Sequence, residues 1–281
     1  MMKTFYLLAL PALMLAMSCS CERNGNDDSG PKPPINAYDK AETVSVRIVS
    51  YNVGAFGKYV ENSTAMVASM MKEIKADAMI LNELDRNNAR HDTDQLADFA
   101  TAMDWDCHFA RAMDFRGGEY GNGAAWSKDL QAVDRYVISL PKRTGSEDRS
   151  CVVVEFDDFV LAGTHLEVKT EEDRLRGIRT ITETLAGKYG DGGKPVFLCG
   201  DMNAEPSSAT IEEFRKNWEQ LTLDADTYPS DAPDRCIDYI FALKDVGPYT
   251  LIASDVMTRF GSGDVTGASD HLPVYADIVL E

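Results

Sequence analysis

Pro195-Val-Phe-Leu-Cys-Gly-Asp-Met-Asn-Ala-Glu-Pro206 reads as a short buried strand that ends abruptly in polar residues. Residues 195–199 are apolar and strand-length. Gly200 breaks the run, and Asp201 and Asn203 follow. Two apart on an extended chain, their side chains share one face. Such a pair suits catalysis, and it equally suits an Asx turn closed by local backbone bonds. The stretch alone leaves both readings open.

The same habit recurs along the chain. Residues 44–51 form a β-rich strand followed by Asn52, and residues 78–81 a short strand ending at Asn82-Glu83. Residues 159–164 lead to His165, residues 236–242 carry Asp238, and Asp270-His271 precede a strand at 274–280. Further strands are read at 106–111, 123–127, 132–140, 150–156 and 249–253, with Asp157-Asp158 as a hairpin signal. Apolar residues at helical spacing predict helices at 64–75, with Ser63 as N-cap, and at 94–103, 171–189 and 207–217. Some strands follow one another directly, as in antiparallel pairing, while others are separated by helices. That mixture predicts an α/β (α+β) four-layer sandwich, two packed mixed sheets flanked by helices, rather than a doubly wound parallel sheet. Layered folds gather polar residues at strand ends, where their sites lie.

Composition narrows the classes. The 281 residues carry 46 acidic and 28 basic side chains, a formal charge of −18. Such a surface repels long polyphosphate chains unless a basic stripe or bound cations intervene, and no Lys/Arg-rich run is present. Small phosphoesters held through a metal ion remain compatible. Cys107, Cys151, Cys199 and Cys236 make no CxxC pair, which argues against a zinc cluster. Their apolar, strand-like settings predict buried free thiols.

The N-terminus reads as an address. A positive start precedes an apolar run at 5–17, shorter than the about 20 residues of a spanning helix. Ala16-Met17-Ser18-Cys19 resembles a bacterial lipobox, with Ala16 where Leu is usual. Residues 1–18 are therefore expected to be a signal peptide and Cys19 a lipidated anchor, with simple secretion and cleavage nearby as the alternative. Residues 19–40 are rich in Asn, Asp, Ser, Gly and Pro, the composition of a disordered tether. Residues 41–281 are expected as a single domain, monomeric, exported, and held at a periplasmic or cell-surface membrane.

Taken in order, Asn52, Glu83, His165, Gly-Asp-Met-Asn at 200–203, Ile-Asp-Tyr-Ile at 237–240 and Ser-Asp-His-Leu-Pro-Val at 269–274 form one series. This series resembles the endonuclease/exonuclease/phosphatase superfamily, the deoxyribonuclease I-like fold, over nearly all of residues 46–278. The resemblance implies a Mg²⁺-dependent phosphoesterase, with Mn²⁺ or Ca²⁺ as alternatives. Mg²⁺ prefers carboxylate oxygens and keeps several waters, so Glu83, with Asn52 and Asp270, is the implied metal set. Asp201 is implied to orient or deprotonate the attacking water, and Asn203 to donate to a phosphoryl oxygen. His271, oriented by Asp238, is implied to stabilise phosphoryl charge or to act as general acid–base. His165 stands where the family places a phosphate-contacting residue. Tyr120-Gly-Asn-Gly matches a substrate-side segment, which puts Tyr120 and Asn122 among the candidates; a Gly-rich turn with a packed tyrosine is the equal alternative. Arg149 and Arg174 are expected in structural salt bridges, and His91 and His108 match no motif.

Two departures matter. Many DNA-repair members carry Asp two residues after the first Asn, where this chain has Gly54, and the common Gln before the metal Glu is Asn82. The first weakens a DNA-repair assignment, as does the expected export, and neither departure removes the phosphoesterase core. The acidic charge and the lack of a Lys/Arg-rich run favour a phosphorylated small molecule or short nucleotide over long nucleic acid. A secreted scavenging nuclease and a non-catalytic surface binding protein are the competing readings. Candidate substrate loops are 87–94, 112–123 and 224–235.

Overall fold

The computed structural model describes residues 38–143 and 146–281. The expected signal peptide (1–18), the Cys19 expected to carry a lipid and all but the last three residues of the expected tether (19–40) lie outside the described residues.

In chain order come β1 (Val46–Asn52), α1 (Thr64–Glu73), β2 (Ala78–Arg86), α2 (Gln95–Met103), β3 (Trp105–Phe115) and β4 (Gly118–Ser127). Next are β5 (Ala132–Ser139), β6 (Ser150–Phe156), β7 (Val160–His165), α3 (Glu171–Tyr189), β8 (Val196–Asp201) and α4 (Ala209–Asn217). β9 (Trp218–Gln220), β10 (Asp238–Leu243), β11 (Tyr249–Val256), α5 (Val265–Ala268) and β12 (Val274–Leu280) follow. One six-stranded sheet has the order β11-β12-β1-β2-β4-β3, the other β5-β6-β7-β8-β10-β9. Two pairs are parallel, β1–β2 and β7–β8. They are the pairs joined by α1 and α3, because a parallel pair needs a crossover that a helix supplies.

Period-2 alternation divides each central strand between two cores. Val46 and Ile48 of β1 face Val152, Leu161, Phe197 and Ile240 between the sheets. Val49 and Tyr51 face the other way, onto Val67, Met70 and Phe99 of α1 and α2. In the second sheet Val153 and Leu198 pack against Ile181 of α3 and Phe214 of α4. Both faces of each sheet are thus covered, which is why β7 and β8 read as continuous apolar runs. The four-layer sandwich expected from the sequence is the observed fold.

Local details differ from expectation, each for a physical reason. Ser63 precedes α1, but its hydroxyl donates to the Ala268 carbonyl at 3.0 Å, and Asn62 Oδ1 accepts from the Thr64 N–H at 2.9 Å instead. Strand β2 does not stop at Leu81; it continues to Arg86 through a bulge between Leu81 and Leu84. Residues 112–123 are no loop: β3 and β4 pair to the Phe115–Gly118 rung. Arg116 (φ 48) and Gly117 (φ 87) make the left-handed turn that a two-residue hairpin requires. The short β9 and α5 carry too few residues to show a period. All four described cysteines are free thiols, three buried and Cys107 half-buried.

Gly200 ties the fold to the site. It sits at φ 143, and a Cβ there would lie 1.8 Å from the Thr164 carbonyl oxygen of the neighbouring β7. Only glycine allows that approach one residue before Asp201. Gly200→Ala is expected to lower the unfolding free energy by about 3 kcal/mol, measured by urea titration. An unchanged midpoint would mean the two strands have room to part.

Candidate active site

Sheet register brings the polar strand ends together. At the ends of β7 and β8, His165 pairs with Asp201. β10 runs antiparallel, so its first residue, Asp238, pairs with Asp201 from the other side. In the first sheet Asn52 pairs with Asn82 at the ends of β1 and β2. Asn82 bridges the two sheets: its oxygen accepts the Asp201 N–H at 2.9 Å, and its amide donates to Asn122 at 3.0 Å and to the Thr164 carbonyl at 3.1 Å. The two strand-end rows therefore face each other across one cleft.

The turn bearing Asp270 and His271 is pinned into that cleft from three directions. Ser269 Oγ donates to the Asn52 carbonyl at 2.6 Å, Ser230 N–H to the Asp270 carbonyl at 2.8 Å, and Leu272 N–H to the Thr227 carbonyl at 2.8 Å. His271 Nδ1 meets Asp238 Oδ2 at 2.9 Å, and the Thr227 hydroxyl donates to the same oxygen at 2.6 Å. The carboxylate thus fixes the imidazole with its Nδ1 protonated and Nε2 turned to the cleft. Burial works against the imidazolium, but the charge and hydrogen bond of Asp238 outweigh it and raise the His271 pKa to about 9.

Asp201 is the hub. Its Oδ2 lies 3.7 Å from His271 Nε2, 3.4 Å from His165 Nε2 and 3.1 Å from the Asn52 amide nitrogen. Its Oδ1 accepts the Asn203 N–H at 2.8 Å. Burial raises its pKa to about 7, with Asp238 adding to the rise and His271 opposing it. His165 moves the other way: burial first, then the charges of Arg149 and His271, hold it well below its ordinary value as a neutral imidazole.

Glu83 and Asp270 line the same cleft, a cavity of about 340 Å³ shared with Lys58, Tyr120, Arg149, Asn203, Tyr228 and Arg235. Glu83 occupies the β2 bulge at φ 60, and Asn203 lies at φ 46. Left-handed backbone at non-glycine residues is costly and clusters at functional sites. Two hard carboxylates with room for water fit an ion that keeps much of its hydration, so the donor set suits Mg²⁺. Asn52 differs from expectation. Its oxygen accepts the Gly54 N–H at 3.1 Å, while its nitrogen donates to Glu83 at 3.2 Å and to Asp201. It orients the two carboxylates. Asp201, Asp238 and His271 also cluster tightly enough to suggest a metal site. The His271–Asp238 hydrogen bond engages Nδ1, so an ion there would have to bind His271 through Nε2, the nitrogen turned to the cleft.

Other candidates fall into place unevenly. Tyr120 lines the cleft, and burial together with Glu83 keeps its phenol protonated. Asn122 is not among the residues lining the cleft: it is buried, bonded to Asn82 and to the Ser150 carbonyl at 3.1 Å, as a spacer between the sheets. The Asn203 amide donates to the Leu166 carbonyl at 3.0 Å. Arg149 makes the expected ion pairs, with Glu147 at 2.9 Å and Glu167 at 3.5 Å. Arg174 does not; its guanidinium holds the Glu167 and Val168 carbonyls at 3.0 and 3.2 Å. His91, without a motif, pairs with buried Asp85 at 2.6 Å beside Arg90 and fastens the 87–93 loop. Tyr228 and Arg235 belong to the 224–235 segment expected as a substrate loop, which does reach the cleft, whereas Lys58 has no signal in the sequence. Within that loop no period singles out Thr227, Tyr228 or Arg235, and the tertiary fold is what brings them to His271 and Asp238.

A model of the Endonuclease/Exonuclease/phosphatase family matches residues 49–271. No sequence among curated proteins matches significantly. Among solved structures, an endonuclease/exonuclease/phosphatase from Bacteroides vulgatus superimposes with TM-score 0.68 at 19% identity, covering 84% of this chain and 99% of its own. The mannosyl-6-phosphatase of Bacteroides thetaiotaomicron VPI-5482 gives 0.69 at 16% identity, over 84% of this chain and 100% of that one. The human Nocturnin catalytic domain, with a bound sulfate anion, gives 0.67 at 18% identity, over 89% and 99%. At these identities the likeness is one of fold.

Proposed function

Since the chain belongs to the endonuclease/exonuclease/phosphatase family, we propose that it is a Mg²⁺-dependent phosphoesterase whose water attacks phosphorus beside Asp201 and His271. The observation that carries this reading is the buried Asp201–His271–Asp238 arrangement, with 3.7 Å and 2.9 Å between the successive pairs. Asp201 accepts the proton of the attacking water, a task suited to a carboxyl near pKa 7. His271, held as imidazolium by Asp238, donates from Nε2 to the phosphoryl oxygen on which charge develops. A new O–P bond forms and the bond to the leaving oxygen breaks. His165, neutral and buried, stands 3.4 Å from Asp201 without adding charge. Glu83 and Asp270 would hold the Mg²⁺, which neutralises phosphoryl charge when bound. Asn52 keeps Glu83 and Asp201 in mutual register.

The substrate is a small phosphorylated molecule rather than a long polymer. A cavity of about 340 Å³ in a chain of charge −18 supports this. So does structural kinship with a mannosyl-6-phosphatase. Full-length protein is expected to hydrolyse phosphoesters with Mg²⁺, and to lose turnover with chelator and in Asp201→Asn. The panel would hold p-nitrophenyl phosphate, bis-p-nitrophenyl phosphate, sugar and inositol phosphates, and plasmid DNA. Chelator-resistant turnover, or full activity in Asp201→Asn, would defeat the reading.

A further inference from the structure

The cations of the cleft are of two kinds. Arg149 is clamped between Glu147 and Glu167, with its side chain only 7% exposed. Lys58 and Arg235 are open, at 46% and 48%. Both are anchored on the Asp270–His271 turn. Lys58 Nζ reaches Asp270 Oδ2 at 2.7 Å. The Arg235 guanidinium lies 4.3 Å over the Tyr228 ring, and that ring lies 4.8 Å from the His271 imidazole. The strip carrying Arg235 is fixed, not loose: Arg235 and Tyr228 exchange backbone hydrogen bonds of 3.0 and 3.1 Å. Among the described residues the only carboxylate near Arg235 is Asp234, at 4.0 Å, too far for a hydrogen bond. Its planar fork of N–H donors is therefore available to a ligand.

The charge balance gives this availability a meaning. Acids outnumber bases 46 to 28 along the chain, yet an arginine without a close acid is aimed at the reaction cleft. A phosphodiester presents one negative charge and two free oxygens. A phosphomonoester presents nearly two charges at neutral pH and a third free oxygen. In a cleft lined by Glu83, Glu147, Asp201 and Asp270, the extra charge needs cations beyond those that a diester requires. Arg235 supplies one, and a guanidinium grips phosphate oxygens in pairs. Lys58, already paired with Asp270 at 2.7 Å, can add only its remaining N–H donors.

We propose that Arg235, assisted by Lys58, is the specificity-determining residue that selects a phosphomonoester over a diester, by holding the oxygen that a diester has esterified. This rests on the catalytic reading above and names its substrate class. The test compares kcat/KM for p-nitrophenyl phosphate and bis-p-nitrophenyl phosphate in the full-length protein with Mg²⁺. The wild type is expected to prefer the monoester. Arg235→Ala should lower the monoester-to-diester ratio about ten- to a hundredfold, the scale of losing a charge-assisted hydrogen-bond pair. Arg235→Lys should restore part of it, because charge returns without the fork, and Lys58→Gln should lower it less. Inorganic phosphate should inhibit Arg235→Ala more weakly than wild type. A wild-type preference for the diester, or an equal fall on both esters, would overturn this inference and leave the catalytic reading standing. Turnover of neither ester by the wild type would overturn both.

Discussion

His271→Gln is expected to lower phosphoester turnover by about 10²–10⁴, the range over which a positioned proton donor or a charge-stabilising donor acts. The loss should fall on kcat more than on KM, because the imidazolium meets charge that develops only on the way to the transition state. The substitution has a structural side too. Asp238 is buried, with Oδ1 unpartnered among the described residues and Oδ2 shared by His271 and Thr227. Removing the imidazole leaves a buried carboxylate with the Thr227 hydroxyl alone, at a cost of about 1–3 kcal/mol. The double variant His271→Gln, Asp238→Asn separates the two effects. It should recover most of the lost stability, since a neutral amide needs no counter-charge. It should recover no activity, and its rate should fall little below that of the single variant, because the dyad acts as a unit. Stopped-assay kinetics and a urea midpoint on the same preparations read both. Activity returning with stability would show that the histidine served only to keep the cleft folded.

The parts of the site that were legible are those written locally. Asp201 ends a strand, where an apolar run stops on a polar residue, and His271 lies three residues before the next strand begins; such local signals survive without any knowledge of pairing. Their meeting was not local: β8 and β10 pair rung by rung so that Asp201 faces Asp238, thirty-seven residues later in the chain. Order along the sequence hinted at that pairing, but register determined it. Glu83 was legible as a residue and not as a shape. The strand continues past it through a bulge, and its left-handed backbone has no compositional signature. Asn122 shows the opposite limit. A buried asparagine between two sheets and one at a substrate look alike in sequence, because the difference lies in which groups stand 3 Å away. Asn82, a departure from the commoner Gln, proves to be the bridge between the sheets. Tyr228 and Arg235 sit in an irregular segment with no period to read, and their role follows from a ring packed on His271.

Arg47→Met is expected to destabilise the fold by about 3–5 kcal/mol, although Arg47 lies far from any chemistry. The arginine belongs to β1 and its cross-strand neighbour on β12 is Asp277. Its Nε and Nη2 donate to the two carboxylate oxygens at 2.6 and 2.7 Å, and its Nη1 donates to the Tyr38 and Ile74 carbonyls at 2.6 Å each. The side chains are 0% and 3% exposed, so neither charge can turn to water when the other is removed. Methionine keeps the aliphatic stem but strands Asp277. For a domain of this size the loss corresponds to a fall in Tm of roughly 10 °C. Asp277→Leu should cost a similar amount by stranding the guanidinium. The double variant should cost at least about 2 kcal/mol less than the sum of the two, since neighbours sharing one hydrogen-bonded pair are not additive. It should still fall short of wild type, because the Tyr38 and Ile74 carbonyls lose their donor as well. High salt should leave all four proteins in the same order, screening being weak for a buried pair. Strict additivity across the cycle would mean that the pair contributes packing volume alone, and that β1 and β12 are joined there by their backbones rather than by charge.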